Sequence, residues 1–393
     1  MECAPATPAS DLSARRALYA AVGLLLLLIL VMVVANVAGP SLARHPYNLG
    51  LLEAPEAPEA PEAPEAPEAP EAHPGTIFVS IASYRDHECP ETINSLFSRA
   101  RDPARVFVGL CVQNAAEDPA CPGQLCDKCV GANIRVLEMP HEKARGPAYA
   151  RYHCATLYQG EDYFMQIDSH MQFIDNWDDL IIRELAKCTP LLRPGAHGAV
   201  LTHYPPANMT DEVRQHQVTT HICRGTWEDT GMISFLSNQF GNQDTPMHTY
   251  YLASGFMFGP GRMVTDVPYD PHMDFLFWGE ELLHAARLWT SGFDLFSPGL
   301  AICSHSYERE YAHNVFSDNS SRNVDWGTAQ ENSNERVRHL LGWPTRTPLD
   351  QLPPAVTAEA RAYGPGAKRP LAAYMEEAKI DRVKRTLGNT CLY

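Results

Sequence analysis

The stretch YFMQIDSHMQF, Tyr163 to Phe173, interrupts an apolar run with a carboxylate and an imidazole two residues apart. Side chains of an extended chain alternate with period two, so Asp168 and His170 point to one side and offer an acidic oxygen and a ring nitrogen to one divalent cation. That pair suits a first-row metal such as manganese better than calcium. Taken alone, the triplet equally describes an aspartate capping a turn beside an exposed histidine. Further along, DFLFWGEELLHAARLW puts Glu280 and Glu281 in the first turn of an apolar-periodic helix, after a glycine that lets backbone approach a ligand. Helix-dipole stabilisation accounts for one of these carboxylates but not for the second. AICSHSYERE ends another apolar stretch in His305, a third candidate metal ligand.

These residues need elements to position them. TIFVSIASYRD, starting at Thr76, reads as a buried strand, followed by a helix from Glu88 to Ala100. RVFVGLCVQ and NIRVLEMP read as the second and third strands, Ala148 to Tyr158 as a helix, DYFMQI as the fourth strand and WDDLIIRELAKC as the next helix. Continuous apolar strands alternating with helices predict an α/β fold with a mostly parallel central sheet covered on both faces. Ligands of such sheets bind at the carboxyl ends of the strands. Asp168 to His170 end the fourth strand and Tyr84, Arg85 and Asp86 end the first, so the two groups are expected on one edge. Tyr250 to Pro260 reads as a core strand with a bend. Trp278 reads first as packing before a helix, and second as a face on which a sugar stacks.

The chain has 393 residues, 45% hydrophobic and 20% charged, enough to bury a full core. Its formal charge is -16, of which the EAP tract from Glu53 to Glu71 supplies seven negatives and leaves about nine elsewhere, so nucleic acid is not an expected partner. Ala17 to Ala38 runs 22 residues without a charge, long enough for a hydrocarbon core of roughly 30 Å and longer than the roughly 7–15 residues of a signal-peptide core. Cleavage after Val33-Val34-Ala35 is the minority reading. Arg15 and Arg16 precede the span, which leaves the N-terminus cytoplasmic and exports the rest. The expected organisation is a cytoplasmic tail (1–16), a signal-anchor helix (17–38), an EAP-repeat stalk (39–75) held extended by its prolines, and an exported domain (76–393). In that compartment disulfides persist, and CPGQLCDKC, with Cys121, Cys126 and Cys129, reads as a stapled loop rather than a zinc ribbon lacking its fourth ligand. NMT at Asn208 and NSS at Asn319 are N-glycosylation acceptor triplets.

Several blocks, in order, carry a resemblance: IFVSIASYRDHECPETI, IRVLEMPHEKARGPAYARY, GEDYFMQIDSHMQF, FWGEELLHAARLWTSGFDLFSP, NERVRHLLGW and YGPGAKRPLAAY. Together they span about Thr76 to Asp381. The chain resembles the polypeptide α-N-acetylglucosaminyltransferases of the GlcNAc-transferase family, and its DSH, WGEE and CSH elements are also similar to those of the mucin-type polypeptide GalNAc-transferases of the same GT-A fold. The resemblance implies a manganese-dependent retaining transferase that delivers GlcNAc from UDP-GlcNAc to a serine, threonine or hydroxyproline hydroxyl of a protein, in a Golgi or other secretory-pathway membrane. It implies Asp168, His170 and His305 as metal ligands, with Asp168 also at the donor. Arg85 and Asp86 are expected at the uridine or ribose, and Arg145 and Arg151 at the nucleotide or diphosphate. Glu280 and Glu281 are expected beside the transferred sugar or acceptor hydroxyl, as positioning or electrostatic groups on a same-face route. The alternatives are a related GT-A transferase using UDP-GalNAc or another donor, and a non-catalytic membrane-tethered carbohydrate-binding protein.

Overall fold

A computed structural model describes residues 75–309 and 312–391. The expected tail, membrane span and EAP stalk lie outside the described residues. Among the described residues, no helix is long and apolar enough to cross a membrane.

The first four strands are β1 (Ile77–Tyr84), β2 (Val106–Gln113), β3 (Ile134–Glu138) and β4 (Tyr163–Asp168), with helices α1 (Cys89–Arg99) and α2 (Pro147–Ala155) between them. After β4 come a short strand β5 (Met171–Phe173) and helix α3 (Trp177–Lys187). The second half contributes β6 (Gly198–Thr202), β7 (Val218–Trp227), β8 (Ile233–Gly241), β9 (Met247–Thr249) and β10 (Phe256–Pro260). Helix α4 (Glu280–Thr290), β11 (Phe293–Ser297), β12 (Cys303–His305), α5 (Val315–Ser321) and α6 (Trp326–Leu340) complete the larger elements. The main sheet has eight strands in the order β3-β2-β1-β4-β10-β6-β11-β9. Within it β1, β2, β3 and β4 are parallel, β6 and β11 are parallel to each other, and β10 runs antiparallel to β4 and β6. The sheet is therefore mixed but mostly parallel, as the strand pattern predicts.

The strand runs are continuously apolar because both faces are covered. Successive side chains of β1 alternate between two cores: Phe78 stacks on Phe164 in the core that also holds Leu282 and Leu283 of α4, whereas Ile77, Val79 and Ile81 belong to the core that holds Ile93, Leu96 and Phe97 of α1. At roughly 1.5–3 kcal/mol for each large side chain buried, these two layers hold the strand ends in register.

Three disulfides lie among the described residues. Cys89–Cys121 and Cys126–Cys129 staple the loop after β2, as the cysteine spacing suggests, and Cys223–Cys391 ties β7 to the C-terminal segment. Cys111, Cys154, Cys188 and Cys303 are buried free thiols. The segment expected as a strand from Tyr250 is strand only from Phe256; the chain turns at Ser254 and Gly255, where a Cβ on Gly255 would meet Asp168 Oδ2 at 2.8 Å. Asn208 is exposed, but Asn319 is 1% exposed and its Nδ2 donates to the Val315 carbonyl, so the second acceptor triplet is closed to modification in the folded domain.

Candidate active site

From β1 the chain builds outward through β2 and β3, then crosses to the other side of β1 with β4. A crevice opens at the carboxyl ends of strands where the order reverses in this way. Ala82 of β1 lies opposite Asp168 of β4, so the ends of both strands face that crevice. His305 arrives from far along the sequence because β12 pairs antiparallel with β5 and sets His305 opposite Met171, next to His170. The His305 Nε2 stands 3.0 Å from His170 Nε2 and 3.2 Å from Asp168 Oδ2. Ligand atoms of all three residues lie within 4.8 Å of one another.

Asp86, at the end of β1, fixes the orientation of this group. Its Oδ2 accepts from His170 Nδ1 at 2.7 Å, from Ser169 Oγ at 2.7 Å and from Arg309 Nη1 at 2.9 Å. Burial alone would raise the Asp86 pKa, but His170, Ser169 and Arg309 outweigh it and hold the carboxyl below the usual range. With Nδ1–H given to Asp86, His170 turns a lone pair at Nε2 toward His305 and Asp168, the carboxylate–histidine arrangement that orients a metal ligand. Two imidazole nitrogens and a carboxylate oxygen thus crowd one point, and a divalent cation fits that donor set.

Arg151, from α2, ties this cluster to α4. Its buried guanidinium donates from Nη2 to Asp168 Oδ1 at 3.0 Å and from Nη1 to Glu280 Oε2 at 2.6 Å. Against the cost of burial, His305, Arg151 and His170 keep Asp168 well below the usual carboxylate range. Gly279, at φ 102°, starts α4 immediately before the two glutamates. Neither glutamate caps the helix. Glu280 faces Arg151, and Glu281 accepts from the Tyr204 hydroxyl at 2.5 Å and the Ser254 N–H at 2.8 Å. Burial pushes the Glu281 carboxyl up to about 7, with Glu280 adding to the rise and Tyr204 and Ser254 opposing it. The two adjacent carboxyls therefore differ in kind: one is held by a buried cation, and the other can hold or release a proton near neutral pH.

Two cavities, of about 860 and 160 Å³, meet over the cluster and share Arg151, Asp168, His170, Phe277 and Arg309 as lining. Glu280, Glu281 and His305 line the larger one, and Asp86 the smaller. The structure thus brings seven of the nine expected site residues together. Arg85 and Arg145, expected at the nucleotide, line neither cavity. Arg85, at φ 48°, turns its guanidinium onto Asp118, Asp318 and Glu117; Arg145 is half exposed and pairs with Asp274 at 3.0 Å. Asp86 is engaged with His170 and Arg151 with two carboxylates, so both act on neighbouring side chains of the site. Tyr204 and Arg309 were not anticipated. Arg309 carried a signal, four residues beyond His305 on the same loop; Tyr204, after β6, carried none.

The sequence signature of the family described as "Glycosyltransferase (GlcNAc)" matches residues 76–129 and 124–384. The chain is thus a glycosyltransferase, a member of this GlcNAc family. No curated protein matches it in sequence. Among solved structures, it is similar to GalNAc-T7 with UDP, GalNAc and Mn2+, at 14% identity and a TM-score of 0.46, over 79% of this chain and 57% of that one. It is also similar to the mannosyltransferase PcManGT from Pyrobaculum calidifontis in complex with GDP-Man and Mn2+ (10% identity, TM-score 0.39, 78% and 76% covered). A third is S. aureus TarS 1-349 in complex with UDP-GlcNAc (13%, 0.38, 74% and 84%). The chain thus spans just over half the length of the GalNAc-T7 chain.

Proposed function

We propose that the protein is a divalent-metal-dependent, retaining transferase that moves GlcNAc from UDP-GlcNAc to a hydroxyl of a protein acceptor. The observation that carries this reading is the convergence of Asp168, His170 and His305 at the strand-order reversal of a chain in the GlcNAc family. A cation such as Mn2+ held by these three residues would supply charge stabilisation for the departing diphosphate. Asp86 keeps His170 in the ligating tautomer, and Arg151 keeps Asp168 ionised and aimed. Arg309, at the junction of the two cavities, adds a positive charge beside the diphosphate position. Glu280 and Glu281 position the sugar and acceptor. Glu280 is held by Arg151 and Glu281 by Tyr204 and Ser254, which favours departure and attack on one face over a covalent glutamate intermediate, with the leaving phosphate taking the acceptor proton. The apolar span 17–38 and the EAP stalk support a single-pass anchor in a Golgi or other secretory membrane, with the catalytic domain lumenal.

The test is incubation of the detergent-solubilised full chain with labelled UDP-GlcNAc or UDP-GalNAc, Mn2+ and peptides containing serine, threonine or hydroxyproline. Transfer of GlcNAc to peptide is expected. Preferential transfer of GalNAc would reassign the donor, and no turnover of either sugar nucleotide would refute the reading.

A further inference from the structure

Beside the metal cluster the larger cavity has an uncharged stretch of lining: the β8 residues Leu236, Ser237 and Gln239, with Phe277, which the smaller cavity shares, Trp278, and Tyr307, whose ring centroid lies 4.1 Å from that of His305. Four of the six are large apolar or aromatic side chains left exposed: Leu236 by 44%, Phe277 by 50%, Trp278 by 38% and Tyr307 by 48%. This uncharged wall suits uncharged side chains as well as a stacked sugar ring.

Strand β8 adds a backbone feature. It pairs with β7 in a separate two-stranded sheet, which among the described residues contains no third strand. Among the described residues, no backbone group of 234–240 makes a backbone hydrogen bond other than to β7. Alternate residues of a strand point to opposite faces, and Asn238 shows which face is which: its side chain bonds Arg224 and the Cys391 sulfur and does not line the cavity. Leu236 shares that face, whereas Ser237 and Gln239 occupy the other, yet all three border the cavity. The cavity therefore wraps the free edge of β8. Edge strands are ordinarily protected by lysine, proline or a covering element, and LSNQFG from Leu236 to Gly241 has no charge and no proline. Opposite this stretch, the bulge between Ile222 and Arg224 increases the local twist.

We infer that the edge of β8 at residues 236–241 docks the acceptor as an extended polypeptide segment, added as a third strand, with its uncharged side chains against Leu236, Phe277 and Trp278. This rests on the transferase reading above and specifies its acceptor. Main-chain pairing gives affinity with little dependence on sequence, and pockets for alternate side chains give selectivity. The acceptor is thus a disordered or looped protein segment able to lie flat, with its hydroxyl residue turned toward Glu281 and the metal cluster.

Two measurements on the full chain in detergent test this. In the first, amide hydrogen exchange is followed across β8 with Mn2+ and UDP present, with and without a pool of uncharged hydroxyl-containing peptides. Slowed exchange within 236–241 is expected, confined to the amides facing away from β7; unchanged exchange in that segment overturns the inference, whether or not sugar is transferred. In the second, one peptide that accepts sugar is N-methylated one residue at a time. Strand pairing predicts that transfer falls at every second position, by on the order of tenfold for each lost hydrogen bond, while a response without this period refutes it. Donor hydrolysis without peptide is recorded in parallel: loss of all turnover refutes the transferase, and turnover with an unprotected β8 refutes only the docking mode.

Discussion

The floor and the outer wall of the large cavity are built on opposite principles. At the floor, Asp86, Asp168, His170, His305, Arg151 and Glu280 are packed within hydrogen-bonding reach of one another. Every carboxylate there has a cationic or imidazole partner. At the wall, Leu236, Phe277 and Trp278 are exposed and carry no charge. The floor is suited to stabilising charge as it develops and tolerates little change, because removing one member leaves others buried and unpaired. The wall makes weak, replaceable contacts. A site divided in this way can keep one chemistry while its acceptor preference changes.

The sharpest way to break this contrast is Asp168→Ala. Transfer to any acceptor is expected to fall on the order of a thousandfold, with the fold retained because Arg151 keeps Glu280, although the thermal unfolding midpoint should drop as Arg151 and His305 lose a buried partner; chelation of the metal by EDTA should match this loss of transfer and added Mn2+ reverse it in the native chain only. Undiminished turnover in the variant would remove the metal cluster from the mechanism. Asp86→Asn probes the same floor one step further out. The His170 Nδ1–H loses its anionic partner, so Mn2+ affinity should weaken roughly 10–100-fold, read by metal titration of the rate, with saturating Mn2+ restoring most activity.

Smaller still is the expected effect at Glu281, between floor and wall. Its carboxyl ionises near the ordinary glutamate value in the unfolded chain and at about 7 in the fold. Between those values the folded state holds the additional proton, so unfolding free energy falls as pH rises through roughly 4.5 to 7, by on the order of 3 kcal/mol. Glu281→Gln should flatten that decline in urea titrations at stepped pH. An unaltered slope would show that the proton sits elsewhere.

How far the sequence foretold all this depends on the range of the interactions involved. The strands β1, β2, β3 and β4 and their helices were readable because each is a local run, apolar throughout or apolar with helical period, bounded by polar residues. The pairing of β5 with β12 is not local: nothing near Met171 announces Cys303–His305 as its neighbour, and His305 is legible only as a histidine ending an apolar stretch, with no sign of which strand it meets. Asp86 was legible as a strand-end carboxylate, but its role as the partner of His170 depends on where two strand ends meet. Arg85 and Arg145 show the reverse failure. A basic residue in the right block looks like a nucleotide ligand, at the uridine or ribose for Arg85 and at the nucleotide or diphosphate for Arg145, until the carboxylates of distant loops, Asp118, Asp318 and Asp274, are seen to take it. Likewise the free edge of β8 has no signature in the letters ISFLSNQFG, since what makes it distinctive is the absence of a neighbour.

Exposed Asn208 has a consequence for access to the cavity. It follows Ala207, which bridges to His305 and borders the larger cavity, and it begins the triplet NMT. If the chain is exported and modified at this residue, an oligosaccharide there would stand next to Ala207 and so beside the lining of the larger cavity, where its bulk would favour slender acceptors over globular ones.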